Sequence, residues 1–160
     1  MRTLYDSLIH SYLTYGILLW GSTYKTYLKK LEIIQKKALR CINNAPYNAH
    51  TLSLFQESNI LKLDGLHELE LGKFVYEALH KTLPKRLVAK YTPNSIVHDH
   101  YTRQQNNPHV QQRHCVVAAN SIIHKAPAVW SHIPLEIRKL DTKNKFKRAL
   151  KNLRISSYKQ

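Results

Sequence analysis

Apolar positions between Tyr24 and Pro46 recur with the period of a helix. At about 100° per residue, Tyr27, Leu28, Leu31, Ile34, Ala38, Leu39 and Ile42 fall on one continuous arc. Another arc carries Lys25, Lys29, Lys36, Lys37 and Arg40, with Lys30 at its edge. This pattern predicts a helix with one side in a core and the other offered to something negative. Thr23 is the expected N-cap, and Asn43-Asn44 ahead of Pro46 the expected stop. Ile33 interrupts the lysines. Cys41, near the apolar arc, is expected to be a small buried hydrophobe.

The same periodicity organises the rest of the chain. Leu4 to Trp20 predicts a first helix that packs through Leu4, Leu8, Tyr12, Tyr15 and Leu19. The break at Gly21-Ser22-Thr23 folds it back on the basic helix as a hairpin. Ala45 to His50 is a turn and Thr51 to Glu57 a short helix. A longer helix from about Asp64 to Thr82 is made central by Leu66, Leu69, Phe74, Val75, Ala78 and Leu79. Lys85 to His114 is rich in Asn, Gln, His and Pro, which predicts a long loop with room for one short strand pair, or a linker. Cys115 to His124 fits strand and helix equally. Pro134 suits the start of a short helix reaching about Leu140. Thr142 can cap a last helix in which Phe146, Ala149, Leu150 and Leu153 share a face, while Lys143, Lys145, Lys147, Arg148, Lys151 and Arg154 cover the remainder. The expected class is mainly α. Residues 1–82 form a helical bundle and 83–114 a polar loop or linker. Residues 115–160 form a small, irregular C-terminal subdomain, with room for short β-strands and a terminal basic helix.

Composition sharpens the partner. With 160 residues, 43% of them hydrophobic, the chain can bury a core as one domain. A net charge of +15 and a pI near 9.9 imply affinity for polyanions, at least without sequence preference. The charge is uneven: Thr51 to Thr82 holds five acids against three lysines, a net of −2. An acidic, apolar middle between basic ends reads as a spine that carries binding surfaces elsewhere. Two cysteines make neither a disulfide framework nor a zinc site, and a reducing, intracellular setting, nuclear or cytoplasmic, fits them. Ile17 to Trp20 is far too short to span a membrane. Met1 leads straight into helical pattern, with no leader, which points to a piece of a larger protein.

Chemistry that needs clustered side chains has little to work with. A polymerase or nuclease needs carboxylates close enough to share divalent metal, yet Asp6, Asp64, Asp99 and Asp141 are scattered, and Glu68 and Glu70 point apart on a helix. His98, His100, His109, His114 and Cys115 lie close in sequence, but their spacing matches no common zinc finger. No local signature of a nucleophilic triad or of a phosphate-cradling glycine loop is present. No catalytic residue, metal ligand or cofactor is therefore assigned. A basic stripe that merely faces water is the bland alternative to a nucleic-acid surface.

Several stretches are similar to one family. Leu8-Ile9-His10-Ser11-Tyr12-Leu13-Thr14-Tyr15-Gly16 followed by Trp20-Gly21 resembles the segment just downstream of the polymerase core in non-LTR retrotransposon reverse transcriptases of the jockey and CR1 type. Leu31 to Arg40, with Gln35-Lys36-Lys37 and Arg40, resembles that family's next helix, and Tyr101-Thr102-Arg103 its loop motif. Trp130-Ser131-His132-Ile133-Pro134, Ile137-Arg138 and Phe146-Lys147 resemble its C-terminal element and last helix. Ala126 and Ser131 depart from the Gly and Asn usual there. The resemblance implies a thumb-like segment of an RNA-directed DNA polymerase without its aspartate-bearing palm, inactive alone. Its partners would be RNA or an RNA/DNA hybrid and the missing polymerase core. Phosphate contacts would fall to Lys25, Lys29, Lys30, Lys36, Lys37, Arg40, Arg103, Lys147, Arg148 and Lys151. The alternatives are a protein-interaction module and a decayed reading frame without function.

Overall fold

The computed structural model describes residues 2–99, 105–110 and 115–159, with 116, 117 and 159 as backbone only. The protein is mainly helical and has no sheet among these residues. Its helices are α1 (Arg2–Tyr5), α2 (Ser11–Thr14), α3 (Ile17–Trp20), α4 (Lys25–Ile42), α5 (Thr51–Glu57), α6 (Leu63–Leu79), α7 (Lys85–Val88), α8 (Asn94–Val97), α9 (Val116–Ala119), α10 (Ile122–Ser131), α11 (Leu135–Arg138) and α12 (Lys143–Ser156). A π turn, Asp6–His10, joins α1 to α2, and a 3₁₀ turn, Ser157–Lys159, ends the chain. The contacts divide the protein into two units, Met1–His67 with Leu150–Gln160, and Glu68–Ala149, so the boundaries fall inside α6 and α12 rather than at the composition shifts near 82 and 114.

In the first unit the N-terminal segment turns a different face inward from the one expected. Tyr5, Leu13 and Ile17 are buried and Ile9 packs, partly buried, against the core cluster around Tyr5, whereas Leu4, Leu8, Tyr12, Tyr15 and Leu19 are all exposed. Both sets repeat at nearly the same spacing, so periodicity could not choose between them. In a regular α-helix each four-residue step advances about 40° beyond a full turn. The wider π turn takes this drift back and keeps Tyr5, Ile9 and Leu13 in line with the core. The helix also stops earlier than expected. Tyr15 is extended and Gly16 takes a left-handed φ of 62°, so α3 starts afresh. Gly21 then makes the reversal: a Cβ there would come within 2.5 Å of both the Ile17 carbonyl oxygen and the His67 ring.

α4 runs back as predicted, but Tyr24 rather than Thr23 occupies the N-cap position. It ends where the asparagines stop it: the Asn43 Nδ2 donates to the Leu39 carbonyl at 2.9 Å, and Asn44 has a φ of 49°. Its core face is narrower than the apolar arc. Leu28, Gln35 and Leu39 are buried, Tyr27 and Ile34 are exposed, and Cys41 is exposed instead of buried. Leu39 joins Tyr5, Leu54, Phe55 and Ile60 in one cluster, against which Ile9, Ala38, Ile42, Ala45 and Tyr158 pack.

The second unit is built on the apolar length of α6, where Leu69, Leu71, Val75, Tyr76 and Ala78 are buried. Phe146 of α12 stacks on Tyr76 at 4.8 Å and on Trp130 at 5.7 Å, and the Tyr76 hydroxyl donates to the Leu140 carbonyl at 2.8 Å. Arg138 locks the turn after α10 by donating to the carbonyls of Ile133 and Ser131 and to Asn107 Oδ1. Burial lowers the pKa of this guanidinium. Among its described residues the expected long loop carries α7 and α8, and an antiparallel bridge between Pro93 and Pro108 stands where a strand pair was allowed. Cys115 to His124, open between strand and helix, is helical in α9 and the start of α10.

Candidate nucleic-acid interface

Six cations project from α4, and the helix fixes their order. Lys25, Lys36, Lys29 and Arg40 fall within about 60° of one another around the axis, and Lys37 and Lys30 lie about 60–80° further round. Lys25 to Arg40 spans about 22 Å of axis, comparable to six or seven base-pair steps of about 3.4 Å. Lys25, Lys29, Lys30 and Lys37 are exposed and Lys36 is half-buried. No ion pair among the described residues involves any of the five; the salt bridges seen elsewhere include Arg2–Asp6, Lys73–Glu70 and Lys143–Glu77. The lysines are therefore neither dispersed around the helix nor neutralised by the protein's own acids.

Arg40 behaves differently. Its Nε donates to the Ala49 carbonyl at 3.1 Å and its guanidinium lies 6.0 Å from the centre of the Tyr47 ring, so it clips the 43–50 turn to the helix. Lys36 lines a cavity of about 350 Å³ together with Lys62, His50, Gln35, Glu32 and Asp64. Two carboxylates in the lining, Glu32 of α4 and Asp64 of α6, make that cavity a mixed-charge pocket, in contrast to the open face along Lys25 and Lys29. The remaining predicted positions do not all join this face. Lys147 and Arg148 are exposed on α12 but belong to the second unit, Lys151 belongs to the first and is half-buried, and Arg103 lies outside the described residues.

One residue that supports the face carried no signal of that role. Gln35 is 1% exposed. Its Nε2 donates to the Tyr5 hydroxyl at 3.1 Å and to the Leu61 carbonyl at 2.9 Å, tying α4 to α1 and to the segment before α6. Burial, the larger effect, raises the Tyr5 pKa against the opposing hydrogen bond from Gln35. A glutamine on the core side of a basic helix looks in sequence like one more polar residue; only the three-way packing gives it a structural role. The histidines near residue 100 form no group of three metal-ligating side chains among the described residues. His98 and His109 meet edge to face at 5.3 Å, and His100 and His114 lie outside those residues.

No family model, curated protein or solved structure matches this chain.

Proposed function

We propose that the protein binds the phosphate backbone of RNA or an RNA/DNA hybrid through the exposed face of α4, as a thumb-like segment of a non-LTR retrotransposon reverse transcriptase would. The observation that carries this reading is the row Lys25, Lys29, Lys36 and Lys37, which has no ion pair among the described residues and stands on a helix whose other side is anchored by Leu28, Gln35 and Leu39. A rigid row of unpaired ammonium groups gives salt-sensitive, sequence-tolerant affinity, because phosphate contacts position a protein without reading bases. Catalysis would belong to a separate palm.

Titration of a fluorescent RNA/DNA hybrid at increasing salt tests this. If the five α4 lysines each neutralise one phosphate, log K falls against log salt with a slope of about −4.5, at about −0.9 per contact. Lys29→Glu, Lys36→Glu and Lys37→Glu together abolish binding while the far-UV circular dichroism stays unchanged. Full affinity in the folded triple variant refutes the assignment.

A further inference from the structure

A second surface of the first unit has no role in phosphate binding. The exposed stripe Leu4, Leu8 and Tyr12 runs beside the exposed flank of α4, which carries Cys41, Ile34 and Tyr27; these side chains are 52–76% exposed apart from the cysteine. Where the two elements meet, Leu4, Leu8 and Ile9 on one side and Ala38, Cys41 and Ile42 on the other enclose an apolar groove of about 180 Å³. The π turn produces this groove by holding Leu4 and Leu8 in line instead of letting them wind apart. Leu4 to Tyr12 spans about 12 Å, or two turns of a helix laid alongside.

Charge around the groove has one sign. Beyond Cys41, the next positions around α4 are Lys30 and Lys37, both exposed. On the other side the neighbouring positions are Ser7 and Ser11, whose hydroxyls bond to backbone carbonyls of their own helix. The nearby acid, Asp6, is paired with Arg2. An apolar floor with a basic rim complements a helix that is apolar on one face and acidic on its flanks. A second copy fits worse, since it would bring the same lysine rim of a chain of net charge +15 against itself.

We propose that this groove docks an amphipathic helix of another protein, with apolar residues at i, i+3, i+4 and i+7 and acidic flanks. The occupant is separate from nucleic acid: the apolar floor of the groove lies beyond the lysine face, and the two surfaces meet at Lys30 and Lys37, which edge both.

The test uses the full chain carrying Cys115→Ser, so that Cys41 is its single thiol. Four fluorescent 15-residue peptides serve as probes: one amphipathic leucine pattern flanked by glutamate, by glutamine or by lysine, and a scrambled glutamate version. The glutamate-flanked peptide binds at least about tenfold more tightly than the scrambled and lysine-flanked peptides, and at saturation it slows maleimide labelling of Cys41 several-fold. Leu4→Ser with Leu8→Ser weakens it by about tenfold or more and leaves hybrid RNA/DNA binding unchanged, which separates this surface from the lysine face. The proposal is overturned by equal binding of the scrambled peptide, or by Cys41 labelling that no peptide slows. It is equally overturned by a dimer in sedimentation that the serine changes dissociate, or by protection of Cys41 by phosphatidylserine vesicles but not by peptide. The labelling readout on the unvaried groove keeps the test decisive should the leucine variants misfold.

Discussion

At the scale of single residues, Gln35 and Tyr91 make the sharpest claims. Gln35 supplies both donors to two buried acceptors, and apolar volume cannot replace that. Gln35→Leu is expected to cost about 2–6 kcal/mol in a urea titration, because each of the two acceptors left without a partner costs about 1–3 kcal/mol. Gln35→Glu should be worse near pH 7, where a buried carboxylate faces the Leu61 carbonyl and loses that donor, and should recover in part below about pH 5, where a protonated carboxyl can donate once. A loss that is the same at both pH values would mean that shape, not hydrogen bonding, holds the site. Tyr91 is buried against Phe74 and donates to the Ile122 carbonyl at 3.3 Å. Burial pushes its hydroxyl up to about 12 from 10.0. The folded state then keeps a proton that the unfolded chain has lost, so this contribution is complete below pH 10 and is lost as pH rises toward 12. The slope from this group approaches about 1.4 kcal/mol per pH unit. Tyr91→Phe should flatten the fall in stability between pH 10 and 11.5 relative to the unsubstituted protein.

At the scale of elements, the two glycines of the N-terminal hairpin do different work. A Cβ on Gly16 would make only ordinary contact, the nearest atom being Trp20 Cδ1 at 3.7 Å, so its requirement is the left-handed backbone alone. Gly16→Ala should cost about 1–2 kcal/mol, and Gly16→Asn less. Gly21 meets backbone and ring at 2.5 Å, and Gly21→Ala should lower the melting temperature by more than Gly16→Ala does. The reverse order would mean that the hairpin relaxes freely around Gly21. Gly21, and the limits of α4, α5, α6, α11 and α12, were legible in sequence to within a few residues, because capping, proline and the asparagine pair act locally; the break at Gly16 was not, since the apolar period runs straight through it. The inward face of the first segment was not, because two stripes of equal spacing compete and only the π turn and the fold-back decide between them. Nor was the order within 85–99, where the Pro93–Pro108 bridge and the Arg138 bond to Asn107 close structure over sequence separations that composition does not register. The lysine face of α4 was legible because a one-sided charge stripe on a helix is itself a sequence pattern. The turn-clipping role of Arg40 was not legible for the complementary reason: its anchor, the Ala49 carbonyl, belongs to the backbone of a turn and leaves no trace in residue type.

At the scale of the whole molecule, the unit that carries the basic helix is discontinuous in sequence. Its core includes Tyr158, which packs against the cluster of Tyr5, Leu39, Leu54, Phe55 and Ile60. The Tyr158 hydroxyl accepts a hydrogen bond from the Lys62 N–H at 3.0 Å, and the Lys62 ammonium sits 4.4 Å from the centre of its ring. Gly65 leaves the space this requires, since a Cβ there would lie 2.8 Å from the hydroxyl. Residues 1–82, which read in sequence as a self-contained bundle, therefore lack part of the core under α4. That fragment should melt less cooperatively than the full chain and bind a hybrid duplex more weakly, although it keeps every lysine of the α4 face. Adding a peptide of residues 143–160 in trans should restore both properties, since the cost is lost packing rather than lost charge. Tyr158→Phe in the full chain isolates the hydrogen bond and should cost about 1 kcal/mol, whereas Tyr158→Ala removes the ring as well and should cost about 3–5 kcal/mol. A fragment of 1–82 that melts and binds like the full chain would show that the C-terminal turn decorates the basic helix without supporting it.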